Sequence, residues 1–221
     1  MLSPNFGERR GGALPDMVVL HYTGMESCAA AHARLCDPAA EVSAHYLISE
    51  RGEVIALVDE NMRAWHAGAG AWGRVTDMNS RSIGIELANT GAEPFAHAQM
   101  VALETLLAGV MARWSVPPCR VIAHSDMSPA RKSDPGPRFD WRRLALSGLS
   151  VWPQAAKAGR PGDFVADARR FGYACDDDGL ILTAFRMRFR PWATGPLDAT
   201  DAGLMADLAT RFPVDETAST A

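Results

Sequence analysis

The chain has 221 residues and 48% of them are hydrophobic, so it can bury a core as one large domain or as one domain with a small companion. Its formal net charge of -4 gives no basic surface for a polyanion, and we expect no nucleic-acid partner. The sequence has no apolar stretch of about 20 residues, so we expect no membrane span, and nothing in it indicates an oligomeric state.

The first third of the chain predicts a strand, a helix and a β-hairpin. Residues 17–22 form a short, β-branched apolar run that is typical of a buried strand. A helix is predicted over residues 28–35, with Ser27 as its N-cap. Two further runs, 44–49 and 54–58, flank a glycine-containing turn and predict the hairpin.

The middle of the chain continues to interleave strands and helices. Residues 82–88 alternate and predict a strand, residues 120–123 predict another, and residues 140–146 predict a short helix. The clearest helix shows one apolar face made of Met100, Leu103, Leu106, Leu107, Val110, Met111 and Trp114. Because the hairpin breaks a strict β-α alternation, we expect an α/β (α+β) fold with a mixed central β-sheet flanked by helices.

The composition shifts near residue 148 toward Ser, Gly, Pro and Ala, which is typical of a linker. Beyond it, three short helical patterns at 164–171, 180–189 and 202–212 predict a small three-helix module. We therefore divide the chain into a larger domain, a linker, a helical module and a tail, at residues 1–148, 149–162, 163–213 and 214–221.

Two of the six histidines stand where sites are commonly built. His32 and His97 lie in polar helical surroundings and are interpreted as structural, but His21 and His124 each close an apolar strand. Asp134 follows His124 by ten residues. Two imidazoles and one carboxylate form a ligand set that suits zinc, and three protein ligands leave a fourth position for water. The pattern therefore predicts a catalytic metal site.

The segment around Asp134 adds a lysine to this candidate site. Asp134 precedes Pro135, and a residue before proline favours extended geometry. Lys132 and Asp134 are two residues apart, so we expect their side chains to point to one side.

Five motifs in series carry a family resemblance: HYT at 21–23, VSAHYLI at 42–48, AWHAG at 64–68, SIGIEL at 82–87, and AHSD with RKSDPGP within 123–137. In order and spacing they resemble the type-2 N-acetylmuramoyl-L-alanine amidases, and within these the AmpD and AmiD branch. The resemblance covers about residues 15 to 145. It implies zinc-dependent cleavage of the amide between a muramic acid lactyl group and L-alanine, with peptidoglycan fragments (muropeptides) as the binding partners.

The resemblance also implies a role for each matching residue. The zinc ligands match His21, His124 and Asp134, the catalytic glutamate matches Glu86, and the lysine that stabilises the transition state matches Lys132. Glu86 would take a proton from the attacking water and return it to the leaving amine. Lys132 would stabilise the oxyanion together with the metal.

Several neighbouring residues have two open interpretations. Trp65 and His66 can line a sugar or peptide groove, or they can cap the core, and Tyr22 beside the first ligand is a further candidate for substrate binding. His45 can orient a ligand from behind or simply pack. Arg51, in the hairpin turn, can contact a peptide carboxylate, although a solvated turn residue is the interpretation we favour.

The C-terminal segment resembles the small three-helix peptidoglycan-binding module, on the residues ARRFGYACDDDGLILTAFRMRFRP and GPLDATDAGLMADL. That module usually has a glutamine after the phenylalanine of its AFQ sequence, and here the position is Arg186. The segment therefore has two interpretations of equal weight: a wall-binding module, or a helical appendage that packs on the catalytic part.

Other functions and another cell compartment remain open at this stage. A non-catalytic peptidoglycan-recognition protein would lack the zinc ligands, which are present here, and a different zinc hydrolase would be expected to carry another motif, such as H-E-x-x-H. The four cysteines form no C-x-x-C pair, and Cys28 and Cys36 are too far apart on a helix for a disulfide. Free thiols and no evident leader favour the cytoplasm and a recycling role; the alternative is an exported, periplasmic enzyme that acts on intact wall.

Overall fold

A five-stranded mixed sheet organises the protein, whose computed structural model describes residues 2–154 and 158–214. The strands are β1 (Phe6–Gly7), β2 (Met17–Tyr22), β3 (Tyr46–Ile48), β4 (Val54–Ala56), β5 (Arg63–Ala64), β6 (Ser82–Leu87) and β7 (Val121–Ala123). The sheet order is β4-β3-β6-β2-β7, with β1 and β5 forming a separate short pair. Strands β2, β3, β6 and β7 run parallel to one another, and only the edge strand β4 is antiparallel to its neighbour β3. The predicted mixed sheet is confirmed.

Helices flank the sheet on both sides. They are α1 (Cys28–Leu35), α2 (Met78–Arg81), α3 (His97–Trp114), α4 (His124–Met127), α5 (Trp141–Leu146), α6 (Phe164–Phe171), α7 (Asp178–Phe189) and α8 (Ala199–Arg211). Ser27 caps α1 as predicted, because its side chain accepts a hydrogen bond from the Ala30 N–H group. The two shortest helices, α2 and α4, were not predicted, since four residues are too few for a helical period to show in the sequence.

Helix α8 shows why predicted boundaries shift. The apolar pattern predicts a start at residue 202, but the helix begins three residues earlier at Ala199. The Asp198 side chain accepts hydrogen bonds from the N–H groups of Thr200 and Asp201, which caps an additional polar turn. The hairpin strands are likewise shorter than predicted: the run at 44–49 forms a strand only over Tyr46–Ile48.

The alternation of β2 and β6 gives the sheet two different faces. Val18 and Leu20 share the first face with Ile83 and Ile85, and all four are buried against α3 and α5 in one apolar cluster. Each such fully buried side chain stabilises the fold by roughly 1.5–3 kcal/mol. Successive strand residues point to opposite faces, so Ser82, Gly84 and Glu86 lie on the second face.

The C-terminal helices α6, α7 and α8 cover part of the second face. Met17 and Val19 from β2 belong to the same buried cluster as a set of C-terminal side chains, Phe164, Phe171, Ile181, Phe185, Phe189, Met205 and Leu208. In the segment predicted as a linker, Leu149 and Val151 are buried, and residues 155–157 lie outside the described residues. The C-terminal helices therefore share a core with the sheet, while the division into separate domains stays a prediction.

Ion pairs buried among the C-terminal helices fix their positions. Arg186, at the position of the expected glutamine, pairs with the fully buried Asp201 and donates hydrogen bonds to the backbone oxygens of Gly195 and Pro196. Arg188 pairs with Asp126 on α4 and donates to the Val121 carbonyl, so it joins α7 to α4 and to the first residue of β7. The Arg186 side chain thus faces inward, and its contacts are structural.

Two further expectations concern membranes and cysteines. None of the described helices is both long enough and apolar enough to cross a bilayer. None of the four cysteines forms a disulfide, and the pKa values of Cys28, Cys36 and Cys119 are raised, in each case chiefly by burial.

Candidate metal centre

The candidate site lies where the parallel strands β2, β6 and β7 end. His21 in β2 is in register with Glu86 in β6, so both side chains project from the same face of the sheet. His124 is the first residue of α4 and follows β7 directly. The carboxyl edge of parallel strands is where sites in such sheets are generally built.

Three side chains converge at this edge: His21, His124 and Asp134, called the ligand triad below. His21 Nδ1 lies 2.9 Å from His124 Nδ1 and 2.9 Å from Asp134 Oδ2, and His124 Nδ1 lies 3.0 Å from the same carboxylate oxygen. All three residues are buried. The loop that carries Asp134 is held against α4, because the backbone oxygen of Asp134 accepts a hydrogen bond of 3.0 Å from the Ser125 N–H group.

The other ring nitrogen of His124 defines its tautomer. His124 Nε2 lies 2.9 Å from the carbonyl oxygen of Ala67, which can only accept a hydrogen bond. Nε2 therefore carries the proton. In the neutral ring, Nδ1 then presents a lone pair toward His21 and Asp134.

A chain of hydrogen bonds defines the tautomer of His21 in the same way. The Ser82 hydroxyl donates to the Met78 carbonyl, so its oxygen accepts from His66 Nε2 at 3.3 Å. His66 Nδ1 is then an acceptor, and it lies 3.1 Å from His21 Nε2, which must carry the proton. Burial and the neighbouring His124 lower the pKa of His21 to about 4, so the ring is neutral near pH 7. His21 Nδ1 thus presents a second lone pair.

This arrangement fits a metal ion. Two imidazole nitrogens and a carboxylate oxygen lie within 3.0 Å of one another, and this is a donor set that a cation would complete. Three atoms spaced in this way can all lie about 2.0–2.1 Å from a common point, the usual zinc–ligand distance for nitrogen and carboxylate oxygen. The ligand triad can therefore hold a metal ion.

Glu86 and Lys132 border the same pocket. Burial is the largest cause that raises the pKa of Glu86 to about 8, the charge of Asp134 raises it further, and Lys132 opposes the shift. The Glu86 Oε2 atom is buried and has no hydrogen-bond partner within the described residues. Lys132 is exposed on the rim, and like Asp134 it lines the pocket. A carboxyl with a raised pKa thus borders the same pocket as the ligand triad, and its buried oxygen has no partner in the described part of the chain.

The other sequence-predicted residues are distributed unequally around this pocket. Tyr22 and Trp65 line it, and the Tyr22 hydroxyl lies 3.3 Å from Ser133 Oγ. His66 also borders it but is buried, and its ring is bonded to His21 as described. His45 is fully buried and accepts a hydrogen bond from the Gly84 N–H group, so it reaches the ligand triad only through its contact with the His66 ring. Arg51 is exposed and borders a different surface pocket, beside Cys28.

The sequence did not indicate several residues that shape this site. The Ala67 carbonyl is a backbone group and has no residue-type signature. Asn79 lies on the unpredicted helix α2, and its Oδ1 atom accepts hydrogen bonds from the N–H groups of residues 66 and 67. Arg34 was placed on α1 correctly, but only the structure shows that it lines the pocket. The alternation of SIGIEL did contain one usable signal: it puts Ser82 and Gly84 on the face that carries Glu86.

Sequence comparisons point to one enzyme family. Residues 11–137 match the family model described as N-acetylmuramoyl-L-alanine amidase. The chain is 34% identical to N-acetylmuramoyl-L-alanine amidase AmiD of Escherichia coli K12 over 234 residues, which covers 90% of this chain and 84% of that protein. It is 41% identical to 1,6-anhydro-N-acetylmuramyl-L-alanine amidase AmpD of Haemophilus influenzae over 107 residues, covering 48% of this chain and 58% of that protein.

Solved structures of the same family are also similar to this chain, and the similarity includes the C-terminal helices. AmiD from E. coli, in complex with the substrate anhydro-N-acetylmuramic acid-L-Ala-D-gamma-Glu-L-Lys, superimposes with a TM-score of 0.82 at 31% identity, over 94% of this chain and 98% of that one. AmpDh3 from Pseudomonas aeruginosa, in complex with anhydromuramic pentapeptide, also gives a TM-score of 0.82 at 31% identity, over 96% of each chain. An AmpD structure matches only 68% of this chain, with a TM-score of 0.60.

Proposed function

The chain belongs to the family of N-acetylmuramoyl-L-alanine amidases, and from this premise we propose which bond it cuts, with which ion and which residues. The proposed bond is the amide between L-alanine and the lactyl group of N-acetylmuramic or 1,6-anhydro-N-acetylmuramic acid in muropeptides. Two relatives with TM-scores of 0.82 were solved with anhydromuramyl peptides, which supports this substrate class.

We propose zinc as the ion held by His21, His124 and Asp134. Two neutral imidazoles and one carboxylate are a common catalytic zinc set, with an open position left for water or substrate. When bound, zinc would act as a Lewis acid toward a water molecule and toward the oxygen of the scissile carbonyl.

Glu86 is the proposed proton carrier. It would accept a proton from the water that attacks the carbonyl carbon, and it would deliver that proton to the L-alanine nitrogen as the C–N bond breaks. Burial raises its pKa to about 8 in the absence of a cation, and a nearby positive charge would bring the pKa down toward neutrality. A group that must take and then return a proton works best in that range.

The cationic side chains of the pocket suit the charge of the reaction and of the substrate. Lys132 lies on the rim beside Glu86, where its ammonium group would stabilise the negative charge that develops on the carbonyl oxygen. Arg34 lines the same pocket and would attract the carboxylates of a stem peptide. Tyr22 and Trp65 would supply the apolar surface on which a sugar or peptide packs.

One observation carries the proposal: two imidazole nitrogens and a carboxylate oxygen converge within 3.0 Å of one another, next to a carboxyl whose buried Oε2 atom has no hydrogen-bond partner among the described residues. The test is the Glu86→Gln variant, with zinc content and cleavage of anhydro-N-acetylmuramyl-L-Ala-D-γ-Glu-L-Lys measured on the same sample. We expect the variant to retain zinc and to lose activity by at least about 100-fold, the scale of a lost general base.

Glu104→Gln is the matched control, because Glu104 pairs with Arg143 away from the pocket. It should leave activity unchanged. Retained activity in Glu86→Gln would refute the mechanism. Wild-type protein that binds no zinc and cleaves nothing would instead favour a non-catalytic recognition protein.

For the biological role we propose recycling of muropeptides in the cytoplasm. The four cysteines form no disulfide, which is in keeping with a reducing compartment, and the AmpD relatives are named for 1,6-anhydro substrates. The alternative is an exported enzyme that acts on intact wall, and the likeness to AmiD over 90% of the chain keeps it open. Comparing anhydro-muropeptides with intact sacculi separates the two roles, since efficient release from sacculi would overturn recycling.

A further inference from the structure

We propose that the dipeptide His66–Ala67 is a clamp that fixes both histidine ligands, and that Asn79 and Gly84 are the positioning residues that hold this clamp. The proposal rests on the proposed function in one respect only, namely that the ligand triad binds zinc. It assigns roles to two residues that touch neither the ion nor the substrate.

The clamp contacts each histidine ligand through the ring nitrogen that faces away from the triad. His66 Nδ1 accepts from His21 Nε2 at 3.1 Å, and the Ala67 carbonyl accepts from His124 Nε2 at 2.9 Å. Two neighbouring residues therefore set the tautomer of both ligands at once. A shift in the backbone of this dipeptide would disturb both Nδ1 lone pairs together.

Asn79 anchors the backbone of the clamp. Its Oδ1 atom accepts from the His66 N–H group at 3.1 Å and from the Ala67 N–H group at 2.8 Å. Both donors are backbone groups, so the side-chain atom they meet must be the amide oxygen. Asn79 is 7% exposed, and without it two buried N–H groups would lose their acceptor.

Gly84 provides the seat for the His66 ring. A Cβ atom built on Gly84 would lie 2.3 Å from His66 Cγ and 2.6 Å from Nδ1, so no larger residue leaves room for the imidazole. Ser82, two residues earlier on the same face, meets the far nitrogen of the ring at 3.3 Å. The small residues of β6 thus form a slot that aims His66 Nδ1 at His21.

The clamp should act on zinc affinity rather than on stability alone. Partners of this kind keep the ligand histidine in the tautomer whose lone pair faces the ion, and their loss typically weakens metal binding by about 10–100-fold. A purely structural contact elsewhere in the core would lower the melting temperature without changing the zinc dissociation constant.

The experiment measures the zinc dissociation constant of the full chain by competition with a chromogenic chelator, after the metal has been removed. Asn79→Leu and Gly84→Ala should each weaken zinc binding by about 10–100-fold. Gln99→Leu is the matched control, because Gln99 is a fully buried amide on α3 whose Nε2 donates to two backbone oxygens, those of Ile48 and Ala88. It should lower the melting temperature and leave the zinc dissociation constant at the wild-type value.

A second pair of variants separates the acceptor from the bulk of the ring, and it also serves if Asn79→Leu or Gly84→Ala does not fold. His66→Phe keeps the volume and removes the acceptor, whereas His66→Gln keeps a polar acceptor. We expect His66→Phe to weaken zinc binding by about 10–100-fold and His66→Gln to weaken it less. Equal losses in both variants would contradict the acceptor role.

The wild-type measurement keeps the two proposals apart. If wild-type protein binds zinc and the variants of Asn79, Gly84 and His66 bind it equally tightly, the clamp is wrong and the proposed function stands. If wild-type protein binds no zinc, both proposals fall.

Discussion

Two buried polar regions lie side by side in this protein and are built on opposite rules. In the C-terminal region each buried charge meets an opposite one, as Asp201 meets Arg186 and Arg190. In the ligand triad two imidazole nitrogens and a carboxylate oxygen converge, and Glu86 Oε2 lacks a partner within the described residues. Breaking a buried ion pair leaves an uncompensated charge and destabilises a fold, whereas converging ligand atoms beside a carboxyl with a perturbed pKa are typical of a functional site.

The two regions meet at α4. His124 begins this helix and belongs to the ligand triad, and two residues later Asp126 is fully buried between the C-terminal side chains Arg188 and Tyr173. The ion pair between Arg188 and Asp126 thus holds the short helix α4, which carries the proposed metal ligand His124. Removing one group from each region, and measuring zinc binding, activity and stability separately, tests this difference.

The largest effect is expected from removing a member of the ligand triad. Asp134→Ala leaves two imidazoles, so zinc should be lost and activity should fall by at least about 1,000-fold, since a catalytic metal contributes several kcal/mol. Bound metal, turnover and urea unfolding are measured together, and a marked loss of metal-free stability would show that the triad is also a structural cluster.

The paired region should respond in the opposite way. Arg188→Met leaves Asp126 buried without its cation and should lower the free energy of unfolding by about 3–5 kcal/mol. Arg142→Met, on the exposed surface of α5, is the control and should change little. Urea unfolding of the metal-free proteins measures both. A loss for Arg188→Met no greater than for the control would remove the contrast between the two regions.

A smaller effect that depends on pH is expected at Glu86. In the folded protein its pKa is about 8, above the ordinary value of 4.5, so between these two pH values the folded form binds more protons than the unfolded form. This contribution to stability is complete below about pH 4.5 and is lost as the pH rises toward 8. Metal-free Glu86→Gln escapes that loss, so its stability advantage over metal-free wild type should grow across this range. Parallel unfolding curves against pH would contradict the unpaired state of the carboxyl.

These contrasts also explain what could be predicted from the sequence. Apolar runs located β2, β6 and β7 because buried parallel strands are continuous hydrophobic segments, and histidines at strand ends indicated where ligands could meet. The carbonyl of Ala67 and the amide of Asn79 could not be found, since their roles depend on a backbone conformation that no residue type encodes. Arg186 was noticed only as a departure from a motif, and its partner Asp201 comes from a different helix.

The smallest effect is expected at Arg51, which the sequence offered as a possible peptide contact. The structure puts it on the exposed hairpin turn, beside a pocket lined by Cys28 and Glu53 rather than by the ligand triad. Arg51→Ala should therefore leave KM and kcat for the anhydromuramyl tripeptide at their wild-type values, whereas Arg34→Ala, within the site pocket, should raise KM. A raised KM for Arg51→Ala would mean that the stem peptide extends past α1 to the hairpin. The substrate-binding surface would then extend beyond the pocket that the ligand triad lines.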